Sequence, residues 1–238
     1  MLLTLLVDAD PICYKAAQAA EEELEFSADL TLILGNFKRG RDIVKQELNK
    51  LSQRFDTDRI ILYFTGSKNF RKEVDPTYKG HRIKRKPAGY AKLKGWCMGQ
   101  WESYMEDCLE ADDLLGIDAT SGKYTSFVLC SPDKDLRQIP CRQFDGKEEL
   151  DVTPEAGERK LWEQVLTGDQ TDGYKGVPGI GAKKAADILD KAESYWPTIL
   201  ATYLEYGLTE EDAIRTTRLA QILQADQWDG STYTLFNP

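Results

Sequence analysis

Leu2-Leu-Thr-Leu-Leu-Val7 runs straight into Asp8, and a short, nearly continuous apolar run of this kind predicts a strand buried on both faces. Arg59–Thr65 (Arg-Ile-Ile-Leu-Tyr-Phe-Thr) and Ser126–Ser131 (Ser-Phe-Val-Leu-Cys-Ser) read the same way. Between the first two, Ile43, Val44, Leu48, Leu51 and Phe55 recur at helical spacing. Between the second and third, Trp101, Met105, Cys108 and Leu115 fall on an approximate helical stripe. Strands alternating with helices predict an α/β fold, a mostly parallel doubly wound sheet with helices on both faces. Ligands in such sheets bind beyond the carboxyl ends of the strands. Asp8 follows the first strand and Asp133 the third, so both should reach one edge of the sheet.

Acids are gathered elsewhere too, in Glu110-Ala-Asp112-Asp113, Asp133-Lys-Asp135, Asp169-Gln-Thr-Asp172 and Asp8-Ala-Asp10. Two like charges about 4 Å apart repel by roughly 4 kcal/mol at an effective dielectric of 20. A fold that brings many acids together is therefore expected to bind cations. Glu110 and Asp112 are two apart and would point in opposite directions on one continuous helix. Either a helix starts or distorts there, or Glu110 and Asp113 share a face. His81 is the only histidine, and the cysteines (13, 97, 108, 130, 141) form no C-x-x-C pair. That argues against a structural zinc site and against Ser-His or Cys-His catalysis, unless His81 alone serves it.

The formal net charge is −9, yet nine Lys/Arg lie between Arg71 and Lys94 against only Glu73 and Asp75. A basic segment on an acidic body can bind phosphates locally; a solvated linker is the competing reading. No apolar stretch is long enough to span a membrane, and the first residues lack the basic region and cleavage site of a signal peptide. The expectation is a cytoplasmic protein without membrane contact.

After Asp151 the pattern is helical only. Thr153-Pro154 is a good N-cap and first-turn pair, and its helix should end near Gly168. Further helices are expected from Ala182 to about Lys191, over Tyr195–Tyr206 and over Glu210–Gln224, followed by a tail without a period. Gly176-Val-Pro-Gly-Ile-Gly181 between the first two reads as a helix-hairpin-helix. Its glycines let backbone N–H groups approach a phosphate, and Lys183 and Lys184 add charge at the next helix N-terminus. Such contacts position DNA without reading its sequence.

Taken together, Gly168-Asp-Gln-Thr-Asp-Gly-Tyr-Lys-Gly-Val-Pro-Gly-Ile-Gly-Ala-Lys-Lys184 resembles the signature of the flap endonuclease / 5′→3′ exonuclease family. That family includes the 5′-nuclease domain of bacterial DNA polymerase I and phage exonucleases. Glu110–Asp113, Ser131-Pro-Asp-Lys-Asp-Leu-Arg-Gln138, Leu6-Val-Asp-Ala-Asp10 and Phe70-Arg-Lys-Glu-Val-Asp-Pro-Thr-Tyr-Lys-Gly-His-Arg82 are similar to its other blocks, in the same order. The short length and compact helical end look phage-like.

The resemblance implies a PIN-like nuclease core over residues 1–151, with a basic helical arch at about 82–101. A helical region over 152–238 would follow, carrying the helix-hairpin-helix at about 160–191. It implies two Mg²⁺ or Mn²⁺ ions on Asp8, Glu110, Asp112, Asp113, Asp133, Asp135, Asp169 and Asp172. Lys79 and Arg82 would face the scissile phosphate, and Tyr78 would stack on the terminal base. Arg71, Lys84, Arg85 and Lys86 would bind DNA, as would the hairpin through Gly176, Val177, Gly179, Gly181, Lys183 and Lys184. The hairpin of this family commonly holds a K⁺. The implied substrate is DNA with 5′ ends or flaps, with RNA–DNA hybrid as an extension, cut by a monomer in a host bacterial cytoplasm. One departure stands out: the family's aspartate after the second strand is missing at Phe64-Thr65-Gly66. A PIN-type endoribonuclease and a non-catalytic DNA-structure binder are the alternatives.

Overall fold

A computed structural model describes residues 2–27, 29–82 and 85–238. Strand β1 (Thr4–Asp8) is followed by α1 (Asp10–Ala19), a hairpin of β2 (Glu21–Ser27) and β3 (Leu30–Gly35), and α2 (Phe37–Phe55). Next come β4 (Ile60–Tyr63), the short α3 (Arg71–Val74), α4 (Tyr90–Met98), β5 (Glu102–Tyr104), α5 (Ala111–Thr120) and β6 (Phe127–Cys130). A 3₁₀ turn at Lys134–Gln138 leads to β7 (Arg142–Phe144) and β8 (Glu149–Asp151). The chain closes with α6 (Pro154–Thr167), a minimal ladder of β9 (Gly168–Asp169) and β10 (Tyr174–Lys175), then α7 (Ala182–Leu189), α8 (Tyr195–Glu205) and α9 (Glu210–Ala220).

The central sheet has the order β5-β4-β1-β6-β7-β8, and only β7–β8 is antiparallel. β1 lies in the middle and is buried along its whole length, which is why it reads as an unbroken apolar run. Its side chains alternate between two cores. Leu5 and Val7 pack under α1, α2 and α4, whereas Leu6 joins Ile61, Tyr63 and the apolar face of α5. Each such buried side chain contributes about 1.5–3 kcal/mol. A third core is formed by α6 to α9 with Tyr78, Tyr174 and Val177.

Two expectations are corrected here. The stripe Trp101–Leu115 is not a helix: it crosses edge strand β5, a loop with Cys108 at φ 78°, and the start of α5. Three residues of strand are too few to show a period of two. The expected arch at 82–101 contains a helix, α4, but Tyr90, Leu93 and Cys97 bury it against α1 and α2. Among the described residues no part of this segment stands away as an arch, and Lys84 lies outside them.

Candidate active site

Beyond the carboxyl ends of β1, β4 and β6 lies a cleft of about 410 Å³ lined by Asp8, Asp10, Glu110, Asp112, Asp133, Asp135 and Asp172, with Lys79, Arg82, Lys86 and Lys94 on the same walls. Parallel register delivers the first of these: Val7 pairs with Cys130, so Asp8 and Ser131 emerge side by side. Ser131 Oγ donates to Asp8 (2.9 Å) and accepts the Asp133 N–H (3.1 Å). Asp133 caps the 3₁₀ turn by accepting the Asp135 N–H at 2.9 Å. Helix α5 starts at Ala111 with Glu110 as its extended N-cap residue. That solves the spacing problem, because Glu110 and Asp112 are not on one continuous helix.

Two electrostatic groups can be separated among these acids. Glu110 and Asp172 are compensated. Glu110 accepts from Lys79 Nζ (2.6 Å), the Tyr78 hydroxyl (3.1 Å) and Arg71 (3.4 Å). Asp172 accepts from Arg82 (2.6 Å) and Tyr78 (2.7 Å), with Lys79 Nζ at 3.4 Å. Burial alone would raise the Glu110 carboxyl, but Lys79 and Arg71 outweigh it and hold it down at about 2. Lys79 is likewise penalised by burial and yet raised by Glu110 and Asp172.

Asp8, Asp112 and Asp135 are the opposite case. Burial raises Asp8 to about 7, helped by Asp10 and Asp133 and resisted by Ser131. Asp112 is pushed well above the usual carboxylate range by burial and by Asp8, Asp133 and Glu110. Asp135 rises to about 6 through burial and Asp133, although Lys160 stands 3.8 Å away. Asp135 Oδ1 is buried with no hydrogen-bond donor. Among the described residues no three acid, cysteine or histidine side chains close into a finished ligand shell. The donor chemistry nonetheless fits a hard divalent cation, because it is all carboxylate, under-compensated and includes an orphaned oxygen.

Linkage makes this testable. A carboxyl raised from 3.8 to about 7 or about 6 favours folding below its ordinary value and loses that contribution as pH climbs through the raised value. Glu110, which is lowered, contributes above its ordinary 4.5 and is lost only toward about pH 2. The melting temperature of chelator-treated protein should therefore fall between about pH 4 and 7. Excess Mg²⁺ or Mn²⁺ should restore it, since saturation at 100 times Kd adds about 2.7 kcal/mol. A scanning-calorimetry profile that is flat with pH and indifferent to metal would contradict the grouping.

Several expected roles are corrected by this geometry. Asp113, expected on a metal, is fully buried and takes Arg71 in a two-pronged pair (2.8 and 2.8 Å), besides accepting the Glu110 and Leu223 N–H groups. Arg71, expected on DNA, is only 3% exposed and also donates to the carbonyls of Leu219 and Gln221. Tyr78, expected to stack on a base, is 2% exposed within the third core. Asp169 stays in its own turn, accepting the Thr171 and Asp172 N–H groups, and does not line the cleft. Arg85 pairs with Glu21 at the base of the β2–β3 hairpin. Lys86 lies over the Tyr90 ring and lines the cleft.

In the glycine hairpin, Val177 is buried and contributes packing. Gly176 is required by closeness: a Cβ there would sit 2.3 Å from the Leu166 carbonyl. Gly179, at φ 76°, and Gly181 have open space around them. Lys183 and Lys184 are exposed, with Lys184 Nζ 3.0 Å from the Gly179 carbonyl.

The missing acid after β4 has a structural counterpart. A Cβ on Gly66 would stand 2.0 Å from the Glu106 carbonyl, so no side chain fits. Thr65 Oγ accepts the Ala111 N–H (3.2 Å). Asp10 reaches across instead, accepting the Thr65 N–H (2.8 Å) and the Tyr90 hydroxyl (2.6 Å), with Lys94 3.7 Å away. Sequence reasoning did not single out Ser131, Tyr90 or Lys94 as site residues. Ser131 opens the Ser-Pro-Asp block, and Lys94 ends the basic run, which are the available signals.

An acid-lined cleft at the carboxyl edge of a mostly parallel sheet, beside a glycine hairpin and helix, is an α/β arrangement suited to metal-dependent nuclease chemistry. No family model matches the chain. It is 26% identical to an exodeoxyribonuclease of Enterobacteria phage T3 and 27% identical to an exonuclease of Escherichia phage T7. Each alignment covers 94% of this chain and 89% of the relative. Its fold matches that of a T5 5′-exonuclease determined with divalent zinc ions, with a TM-score of 0.66 at 17% identity, over 92% of this chain and 89% of that one. Over most of its length the chain is thus similar to phage exonucleases, and its fold is that of a 5′-exonuclease.

Proposed function

We propose that this protein is a metal-dependent 5′ nuclease, a 5′→3′ exonuclease and flap endonuclease that hydrolyses DNA phosphodiesters. The observation that carries this reading is the set of under-compensated acids Asp8, Asp112 and Asp135, which share one cleft with Asp133 and with Lys79, Arg82, Lys86 and Lys94. Those four acids would hold two Mg²⁺ or Mn²⁺ ions. When bound, the ions would activate the attacking water and neutralise charge on the leaving oxygen. Lys79 and Arg82, held by Glu110 and Asp172, offer positive charge to the phosphoryl oxygens, where negative charge grows in the transition state. Asp10 braces the end of β4 and the Tyr90 side of the cleft.

Open backbone at Gly179 and Gly181 and the exposed Lys183 and Lys184 give the duplex a phosphate grip. A K⁺ at the hairpin would use backbone carbonyls, and there Gly179 O already accepts from Lys184. Because such contacts read neither base edge nor sequence, the reading extends to RNA–DNA hybrid. One chain supplies the whole cleft, so the active form is taken as a monomer, working wherever the replicating DNA lies in a host cell.

Two substitutions separate grip from chemistry. Lys79→Ala should slow single-turnover cleavage by about 10²–10³ while duplex affinity stays nearly constant, as for loss of one transition-state charge contact. An unchanged rate with weakened affinity would make Lys79 a binding residue only. Changing both Lys183 and Lys184 to Ala should flatten the salt dependence of duplex binding by nearly two units, since each neutralised phosphate contributes about 0.9 to the slope. Fluorescence anisotropy at several salt concentrations measures this. An unaltered slope would remove the hairpin from the DNA surface.

A further inference from the structure

We propose that the Tyr78 hydroxyl is a positioning group that bridges Glu110 and Asp172 and thereby fixes the acids that hold Lys79 over the cleft. This rests on the nuclease reading and deepens it. The hydroxyl lies 2.7 Å from Asp172 Oδ2 and 3.1 Å from Glu110 Oε2. Those acids come from distant segments, Glu110 from the start of α5 and Asp172 from the turn between β9 and β10. Facing carboxylates repel, and among the described residues the Tyr78 O–H and Lys79 Nζ are the two groups that contact both. The phenol has one proton, which it donates to Asp172 at the shorter distance and shares with Glu110 at the longer one.

A second lock acts through the backbone. Lys79 has φ 54°, a left-handed conformation uncommon for a residue with a side chain. Its N–H is pinned to the Asp172 carbonyl at 2.8 Å. Residues 78–79 and Asp172 are thus joined twice, once by main chain and once by the hydroxyl. Strained backbone of this kind persists only where the surroundings over-determine it. The product of both locks is a defined direction for Lys79. Nothing of the Tyr78 ring is left for a nucleobase, since it packs in the third core and under Lys79 Nζ (5.0 Å from its centroid).

Tyr78→Phe keeps the ring and its packing and removes only the oxygen. Single-turnover cleavage of a 5′-flap duplex at saturating enzyme should fall by about 10–100-fold, the usual effect of removing an orienting hydrogen bond next to a working group. Duplex affinity measured in Ca²⁺ should not change. If the hydroxyl acts through Lys79, the double variant with Lys79→Ala should cut no more slowly than Lys79→Ala alone. A wild-type rate in Tyr78→Phe, or losses that multiply in the double variant, would overturn the proposal. Should Tyr78→Phe fail to fold by its melting curve, Glu110→Gln, which touches Lys79 and not Arg82, taken through the same cycle with Lys79→Ala decides between the same two outcomes. Wild-type protein on the same substrate is the control. If it does not cut at all, the nuclease reading fails, whereas multiplying losses in an active enzyme remove only the role of Tyr78.

Discussion

Asp112→Asn should abolish cleavage and at the same time make the metal-free protein more stable. Both effects have one cause. Asp112 is half-buried beside Asp8, Asp133 and Glu110, and its charge is opposed by desolvation and by those neighbours. An amide of the same shape removes the repulsion in the metal-free fold. It also removes a donor from the cluster that would hold the ions, so the rate should drop by about 10²–10³ or more. Each 1 kcal/mol gained moves the midpoint by about 2–4 °C in a chain of this size, so a rise of a few degrees in chelator is expected. A lower melting temperature together with lost activity would mean that Asp112 is a structural residue.

Arg71→Ala should be the most damaging single change to stability. Arg71 and Asp113 are both buried, and the guanidinium also satisfies two carbonyls at the end of α9 and touches Glu110. Truncation leaves the Asp113 carboxylate uncompensated in the core, which typically costs about 3–5 kcal/mol. Lysine should rescue poorly, because it cannot reproduce the two-pronged geometry. Urea unfolding provides the measurement. A loss comparable to that of an exposed substitution, accompanied by weaker DNA binding, would restore Arg71 to the DNA surface.

How much of this is legible in the chain depends on how local each cause is. β1, β4 and β6 can be read directly, since a strand buried on both faces must be apolar throughout. The cap Thr153-Pro154 marks the start of α6 in the same direct way, as its side chain accepts the Ala156 N–H. β2 and β3 do not announce themselves. Glu21-Glu-Glu-Leu-Glu-Phe-Ser27 has no buried face to impose alternation, because nearly every side chain of that ribbon is exposed. The acid blocks are conspicuous, yet Asp112 and Asp113 look equivalent in sequence. What separates them is the rotation of one helical position and an arginine 42 positions away. Tyr78 misleads for a similar reason. The family resemblance implies stacking, and only the tertiary packing of α6 to α9 around it shows that its ring is buried. The division of acids into compensated and under-compensated groups is likewise a property of the folded chain.

The most direct test of the whole account is cleavage of one 5′-labelled flap duplex by a single preparation, with Mg²⁺ or Mn²⁺ and again in excess chelator. Products should be released from the 5′ end only with the divalent ion, and should disappear in Asp135→Asn protein that still binds the duplex. Full turnover in chelator, or an Asp135→Asn protein that cuts at the wild-type rate, would contradict it.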